Sequence, residues 1–395
     1  MIYKTKVNDN VYIFDGSTFE LYKNKIDDTN EIRRDNKFVR AVPRRLEKLD
    51  LIITTQCNGE CLYCYQNREY FGHTSPLMDK TSADRILDYL TLNYDKIANV
   101  NFFGGEPILN FKIMKYLTEN LRDEFSVSSL SITSNATLID DEIIDFLDKF
   151  NFNIILSIDG PEIINDKLRK NLKYDKIYET IKLLCKVGLK NNLTLNCTYT
   201  KYHEDFFDKN LLIEFFDKLG IAYHISDVIT EDPNLKLNKI HDNENVKLDI
   251  EHSFDRIINN SKNKDIISYT RDVLEAIIYN RSSEWFCNDV IEGYSETFDT
   301  DSKRHHCISL IKEDIDFKKI NNVNSKNNPV CNNCWARNLC SKCIAQYYLG
   351  NEKMIQNIND CERKRYYEYT IKTLMRIYEV SEKRFNKIFS NYIYF

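Results

Sequence analysis

Proline and glycine are scarce in this sequence, at six and ten of 395 residues. Long disordered linkers draw on those residues, so little of the chain is expected to be linker. No apolar run reaches the ~18 residues of a membrane span, so no membrane partner is expected. The opening MIYKTKVNDNVYIFDG lacks the apolar core of a secretory signal, which sets the expectation of a reducing cytoplasm. Positive charge is not in excess: 55 Lys and Arg stand against 60 Asp and Glu, a net charge of −5. A general nucleic-acid binder shows a basic stripe, so nucleic acid is not expected as a partner. No internal repeat is visible. The apolar content of 42% and charged content of 29% fit a globular chain, long enough for two or three domains.

Cysteine, by contrast, is plentiful at 12 residues. In a reducing compartment, clustered cysteines point to metal or redox chemistry rather than disulfides. Cys57, Cys61 and Cys64 form Cys-x3-Cys-x2-Cys within TTQCNGECLYCYQ. Four-iron clusters normally take four cysteines, so three thiolates on one short loop leave one iron open to a small molecule. Structural zinc closes at four ligands with paired spacing and reads differently. A second group runs Cys331-x2-Cys334-x5-Cys340-x2-Cys343, with Cys361 after it and Cys287 and Cys307 before it. Its central four also suit a zinc site, which would leave the other three idle. Cys185 and Cys197 read as buried structural thiols.

The apolar pattern alternates strand and helix. LDLIITT, VNFF, SLSITSN, FNIILSIDG, LTLNCTYTK and IAYHISDVI read as strands. Residues 79–96, 110–124, DDEIIDFLDKF, YDKIYETIKLLCKVG and 209–219 read as helices between them. About six parallel β/α units are therefore expected, with chemistry at the C-terminal strand ends. Residues 1–48 read as a small β-rich extension with a hairpin turn at Asp15-Gly16. Residues 243–281 and a single last helix near 362–390 complete the reading.

The three-cysteine loop resembles that of the radical SAM superfamily. The resemblance implies an open iron that binds S-adenosylmethionine and supplies the electron yielding a 5′-deoxyadenosyl radical. Other motifs follow in order. Tyr63, before the third cysteine, is implied to pack near the adenine. Gly104-Gly105-Glu106-Pro107 matches the motif that binds the amino group of S-adenosylmethionine. Ser134-Asn135-Ala136 stands where the family usually has Thr-Asn-Gly, which makes Ser134 and Asn135 candidates. In LSIDGP, Ser157 and Asp159 are implied to face the barrel mouth. Arg169 is the candidate for the carboxylate, which a guanidinium suits through two parallel hydrogen bonds. Lys167 and Lys170 beside it allow a solvated charge run as the alternative.

The C-terminal cysteines resemble the SPASM domain, which holds two auxiliary four-iron clusters. Ser302 occupies the family's glycine slot, and the last internal spacing is x2 where the family has x3. The resemblance assigns Cys331, Cys334, Cys340 and Cys361 to a distal cluster. It assigns Cys287, Cys307 and Cys343 to a proximal one, either with an open iron or with His305 or His306 as fourth ligand. The implied fold is a partial (β/α)6 TIM-type barrel at 49–240, a helical bridge at 241–284, an auxiliary domain at 285–365 and a C-terminal helix at 366–395. The implied function is modification of a ribosomally made precursor peptide, by a thioether or other cross-link. The implied cofactors are three 4Fe-4S clusters and S-adenosylmethionine, with an electron donor such as flavodoxin or ferredoxin to reduce the clusters. The alternative is an anaerobic sulfatase-maturing enzyme that forms formylglycine on a partner protein.

Overall fold

The computed structural model describes residues 1–23, 37–38, 42–64, 75–207, 209–230, 232–237, 244–261, 266–282, 287–311, 329–341 and 358–393. The chain divides into two compact units. One contains Met1–Val39, Lys239–Asn288 and Asp316–Phe395; the other contains Arg40–Asn238 and Asp289–Ile315.

The first unit opens with an antiparallel sheet of β1 (Ile2–Val7), β2 (Asn10–Asp15) and β3 (Leu21–Lys23). β4 (Lys37–Phe38) pairs far along the chain with β13 (Arg281–Ser282). The turn at Gly16 has a specific reason to be glycine. A Cβ there would stand 1.8 Å from the Trp335 carbonyl oxygen, and Asn338 Nδ2 donates to Gly16 O at 3.0 Å. Tyr3 stacks on Trp335 at 4.8 Å between centroids, and Phe14 meets the same ring edge-on. The hairpin is thus part of one core with the C-terminal segment, together with Phe254, Leu274, Tyr367 and Leu374.

The expected 243–281 helix is described as α8 (Glu244–Ile258) and α9 (Ser268–Tyr279), with residues 262–265 undescribed between them. The expected last helix is two, α10 (Glu362–Val380) and α11 (Glu382–Tyr392). Ser381 is extended and its hydroxyl accepts from Arg384 N, so one residue ends the first helix and caps the second.

The second unit is built on β5 (Arg45–Thr54). The short β6 (Glu60–Cys61) follows, then α1 (Lys80–Asn93), β7 (Lys96–Gly104), α2 (Phe111–Glu124), β8 (Ser126–Ser134), α3 (Asp141–Lys149) and β9 (Phe152–Ser157). Next come α4 (Glu162–Leu168), β10 (Arg169–Lys170), α5 (Tyr174–Lys186), β11 (Leu193–Tyr199), α6 (Lys201–Phe206), α7 (Lys209–Leu219) and β12 (Ala222–Asp227). The sheet order is β12-β11-β9-β8-β7-β5-β14-β15, with β14 at Ser295–Phe298 and β15 at Arg304–His305. The six expected strands are parallel in chain order, which is the partial (β/α)6 barrel. β14 adds a seventh parallel strand on the far side of β5, and β15 runs antiparallel to it.

Period-2 alternation sorts the strand faces. Leu49, Leu51, Val100, Phe102, Leu130, Ile132, Ile154 and Leu156 are buried in one core with the helices. On the opposite face Asp50, Asn101, Ser131 and Asn153 are successive cross-strand partners. Asn101 Nδ2 donates to Asp50 Oδ1 at 2.9 Å, and Ser131 Oγ to Asn101 Oδ1 at 3.3 Å. A closed barrel fills this face with bulky apolar side chains; here it carries a polar row.

Candidate functional site

β5 leads directly to the three cysteines. Gln56 N donates to Thr54 Oγ1, so the strand ends in a fixed turn. Gly105 N donates to Thr54 O at 2.9 Å and Glu106 N to Gln56 O at 2.8 Å. A Cβ on Gly104 or Gly105 would stand 2.1 Å from the oxygens of Thr54 and Gln56 respectively. The two glycines are therefore what lets the second β/α unit lie against the entry to Cys57.

Glu106 has no exposed surface, and its carboxylate accepts from Ser134 Oγ at 2.9 Å, Asn135 N at 2.7 Å and Ile108 N at 3.2 Å. Burial raises its pKa, with these three donors opposing. Both carboxylate oxygens are committed to the chain itself. Glu106 thus acts here as a brace between two strand ends. Ser134 and Asn135 belong to the same brace. Asn135 Nδ2 donates to Asn58 Oδ1 at 2.8 Å and lies 3.9 Å from Cys57 Sγ. Its Oδ1 accepts from Thr137 N and Oγ1.

The loop is tied on its other side by β10. Cys61 pairs with Arg169 and Glu60 with Lys170, and Leu62 N donates to Leu168 O at 2.8 Å. Arg169 is 5% exposed, which removes the solvated-charge alternative for this residue. Its Nη1 donates to the Tyr63 hydroxyl at 2.8 Å, and that hydroxyl donates to Asp159 Oδ2 at 2.6 Å. Asp159 Oδ1 accepts from Thr198 N. Burial raises the Tyr63 pKa well above that of a free phenol, Asp159 adding to it and Arg169 opposing. Burial works against the Arg169 charge, but Tyr63, Cys61 and Asp159 hold it. Ser157 lies on the half-exposed face of β9.

His203 carries no motif, yet it fixes the site. It is fully buried, Nδ1 accepts from Thr200 N at 3.0 Å, and Nε2 donates to Asp159 O at 2.9 Å. Burial lowers its pKa. The spacing Thr200-x-x-His203 is that of a capping box, with His in the usual place of Glu. Cys197 is fully buried in the barrel core, 3.6 Å from Asp159 O, whereas Cys185 on α5 is half-buried.

The donors fit a cluster with a bound S-adenosylmethionine. Cys57 and Cys64 are exposed, and Cys57 Sγ accepts from Gly59 N at 3.3 Å. Burial pushes the Cys61 thiol up to about 11, with Arg169 opposing. Arg169 Nε is buried and has no hydrogen-bond partner among the described residues, and Arg169 pairs directly with Cys61. Among the described residues, no three His, Cys, Asp or Glu side chains converge as around a single ion. A cubane holds its thiolates on separate corners and needs a wider spread. Cys57, Cys61, Tyr63, Cys64, Asp159 and Arg169 would surround it.

In the first unit, Cys331, Cys334, Cys340 and Cys361 come together. Cys334 lies within electrostatic reach of Cys331 and Cys361, and Cys340 within reach of Cys334 and Cys361. Burial raises Cys334 to about 11 and Cys340 to about 12. Asp272 clamps this segment, accepting from Ser341 Oγ at 2.6 Å and Tyr367 OH at 2.7 Å. In the second unit Cys307 Sγ accepts from Ser309 N at 3.4 Å, the same i+2 turn seen at Cys57. Cys287 is half-buried, and Cys343 lies outside the described residues. None of the described cysteines forms a disulfide.

Residues 51–206 match the profile of the Radical SAM superfamily. Over this segment the chain is similar to the radical SAM superfamily. Among curated proteins, this chain is 26% identical over 264 residues to the radical SAM cyclopropyl synthase TigE of Paramaledivibacter caminithermalis, covering 60% of this chain and 55% of that protein. It is 29% identical over 193 residues to a cysteine-type anaerobic sulfatase-maturating enzyme of Clostridium novyi, covering 42% of this chain and 49% of that protein. The chain spans about half the length of the curated relatives it matches. Among solved structures, its fold resembles native anSMEcpe with bound AdoMet and Kp18Cys peptide. The TM-score is 0.64 at 19% identity, with 85% of this chain and 100% of that one covered. The radical SAM barrel, the cysteine-rich C-terminal extension and the small N-terminal β region therefore form an architecture shared beyond residues 51–206.

Proposed function

We propose that this chain is a radical SAM enzyme that acts on a peptide or on a peptide segment of a partner protein. The observation that carries the reading is Arg169: a buried guanidinium whose Nε has no partner among the described residues, set across from Cys61 and tied through Tyr63 to Asp159. When bound, the cluster supplies the electron that yields the 5′-deoxyadenosyl radical. The protein's own share is placement. Arg169 takes the carboxylate of S-adenosylmethionine, and Asn58 and Asn135 hold the loop beside Cys57. The polar row from Asp50 to Asn153 offers hydrogen bonds to a polar substrate on the inner face.

Two outcomes compete for the chemistry. Similarity to sulfatase-maturating enzymes, in sequence and in fold, supports formylglycine formation on a partner better than it supports a thioether cross-link. The cross-link retains the similarity to a cyclopropyl synthase, which covers more of this chain. Two auxiliary clusters, an electron donor such as flavodoxin or ferredoxin, and a ribosomally made precursor peptide complete the proposal. The test is anaerobic incubation of the reconstituted enzyme with S-adenosylmethionine and two candidate substrates. One is a sulfatase-derived cysteine peptide, the other the product of any short reading frame beside the gene. Mass spectrometry that finds formylglycine supports the first outcome, and loss of two hydrogens supports the second. No 5′-deoxyadenosine with either peptide or with a strong reductant alone would sink the enzyme reading.

A further inference from the structure

The segment around Cys340 is held by α9 and α10, and all three lie in the first unit. The Tyr367 hydroxyl accepts from Ser341 N at 3.3 Å and donates to Asp272 Oδ2 at 2.7 Å. The Ser341 hydroxyl donates to the same oxygen at 2.6 Å, and Arg363 Nη1 donates to Ser341 O. The residue after Cys340 thus has its N–H, its carbonyl and its hydroxyl engaged by one tyrosine, one arginine and one aspartate. Tyr367 has no exposed surface, and the Asp272 side chain is 13% exposed. Two hydroxyls aimed at one oxygen mark Asp272 as an ionised acceptor.

The charges around this segment are arranged against local preference. α10 begins Glu362-Arg363-Lys364-Arg365, three cations in a first turn where the helix dipole favours anions. Lys364 is met by Glu368 at 3.6 Å and lies within electrostatic reach of Cys334. Arg363 stands over the Tyr269 ring, 5.7 Å from its centroid, and lies within reach of Cys340. Cys361 is the N-cap of α10, and its side chain makes no capping bond to the helix. Thiolates at these positions are the anions that such a turn calls for. Asp272 is the opposing charge, within reach of both Cys340 and Arg363. Arg271 meets Asp272 only from the surface, with Nε 4.0 Å from Oδ1 and a side chain 51% exposed.

Four thiolates occupy every iron of a cubane, so a cluster on Cys331, Cys334, Cys340 and Cys361 has no open iron and serves electron transfer. Its useful property is then its midpoint potential, which nearby charge and hydrogen bonding set. We propose that Arg363 and Asp272 set the midpoint potential of this cluster in opposite directions, the guanidinium raising it and the carboxylate lowering it. The proposal rests on the auxiliary-cluster reading above and deepens it. Both are positioning residues: they act on the cluster through Cys340 and Ser341 and hold no iron themselves.

The test uses the full chain, reconstituted anaerobically without S-adenosylmethionine and titrated with reductant while EPR follows each cluster. The signal to follow is the one lost in Cys334→Ala. Asp272→Asn keeps the shape and removes the charge, and should move that midpoint up. Arg363→Gln should move it down, and Arg363→Lys, which keeps the charge, should hold it near the parent. Iron content should match the parent in all three. A clamp with a structural role alone would behave otherwise, because loosening it from either side exposes the cluster and shifts both midpoints one way. Shifts in one direction, no shift, or loss of iron from either Asp272→Asn or Arg363→Gln would overturn the proposal and leave the parent's auxiliary clusters in place. About four irons per chain in the parent, or zinc on these cysteines, would remove the auxiliary-cluster reading and the proposal with it.

Discussion

Arg169 and Cys61 are direct partners across the two-residue antiparallel bridge of β10 and β6. A short bridge of this kind makes the position of the Arg169 guanidinium depend on the position of Cys61. Loading one should order the other.

Arg169→Ala should therefore weaken S-adenosylmethionine binding about 10–150-fold, the loss of one charge-assisted hydrogen bond. Iron content should stay intact. Equilibrium dialysis of labelled S-adenosylmethionine checks this, and unchanged affinity would transfer the carboxylate to another group.

Glu106→Gln should behave differently. Its partners Ile108 N, Ser134 Oγ and Asn135 N are all donors, so an amide would place N–H against N–H or O–H. One buried donor left unmet costs about 1–3 kcal/mol. The expected result is a lower unfolding midpoint and poorer iron retention. A variant as stable as the parent, with only weakened S-adenosylmethionine binding, would contradict the brace.

Changing Cys57, Cys61 and Cys64 together to Ala should remove about four irons and all S-adenosylmethionine cleavage. Iron analysis beside a 5′-deoxyadenosine assay measures both. Cleavage that continued would place the reaction elsewhere.

His203 gives a pH signature. Its folded pKa is lowered by burial, while the unfolded chain titrates near about 6.5. As pH falls through that value, the unfolded state takes up a proton that the folded state refuses, so stability is present above it and lost below it. The unfolding midpoint should fall between pH 7 and 5 more steeply in the parent than in His203→Gln. Parallel profiles would show that His203 does not carry the effect.

Ala136 and Ser302 stand where the resemblance implies glycine, and both have positive φ, 70° and 63°. An L-residue there costs about 1–2 kcal/mol, of which glycine returns part as unfolded-chain entropy. Ser302→Gly should stabilise by about 0.5–1 kcal/mol. Ala136→Gly should be nearly neutral, because Ala136 is fully buried and loses methyl packing. Denaturant unfolding of both variants decides this; destabilisation at Ser302 would count against the strain argument.

These two positions also show what a sequence can and cannot reveal. The departures from glycine are visible in the letters, but not that the backbone keeps the left-handed turn regardless. The six strands from β5 to β12 are legible because apolar residues alternate along them and helical spacing separates them. β14 is not, since Ser295–Phe298 is buried throughout and has no alternation to read. The cysteine loop is legible through spacing, and Arg169 only through the family resemblance. Glu106 is legible as a motif, but its partners are set by tertiary contacts that no spacing encodes. His203 leaves only a faint trace, a capping-box interval closed by an unexpected residue.

The pairing of Ser295 with Lys48 orders events during synthesis. β5 is made early, yet its outer edge stays unpaired until the chain has grown past residue 298. In the first unit, Gly16 likewise awaits Trp335. A ribosome-bound intermediate therefore carries an open edge on β5 for most of translation, and such edges recruit foreign strands. A chain stopped after β12 would keep the expected six-strand barrel on paper and be prone to aggregate in practice.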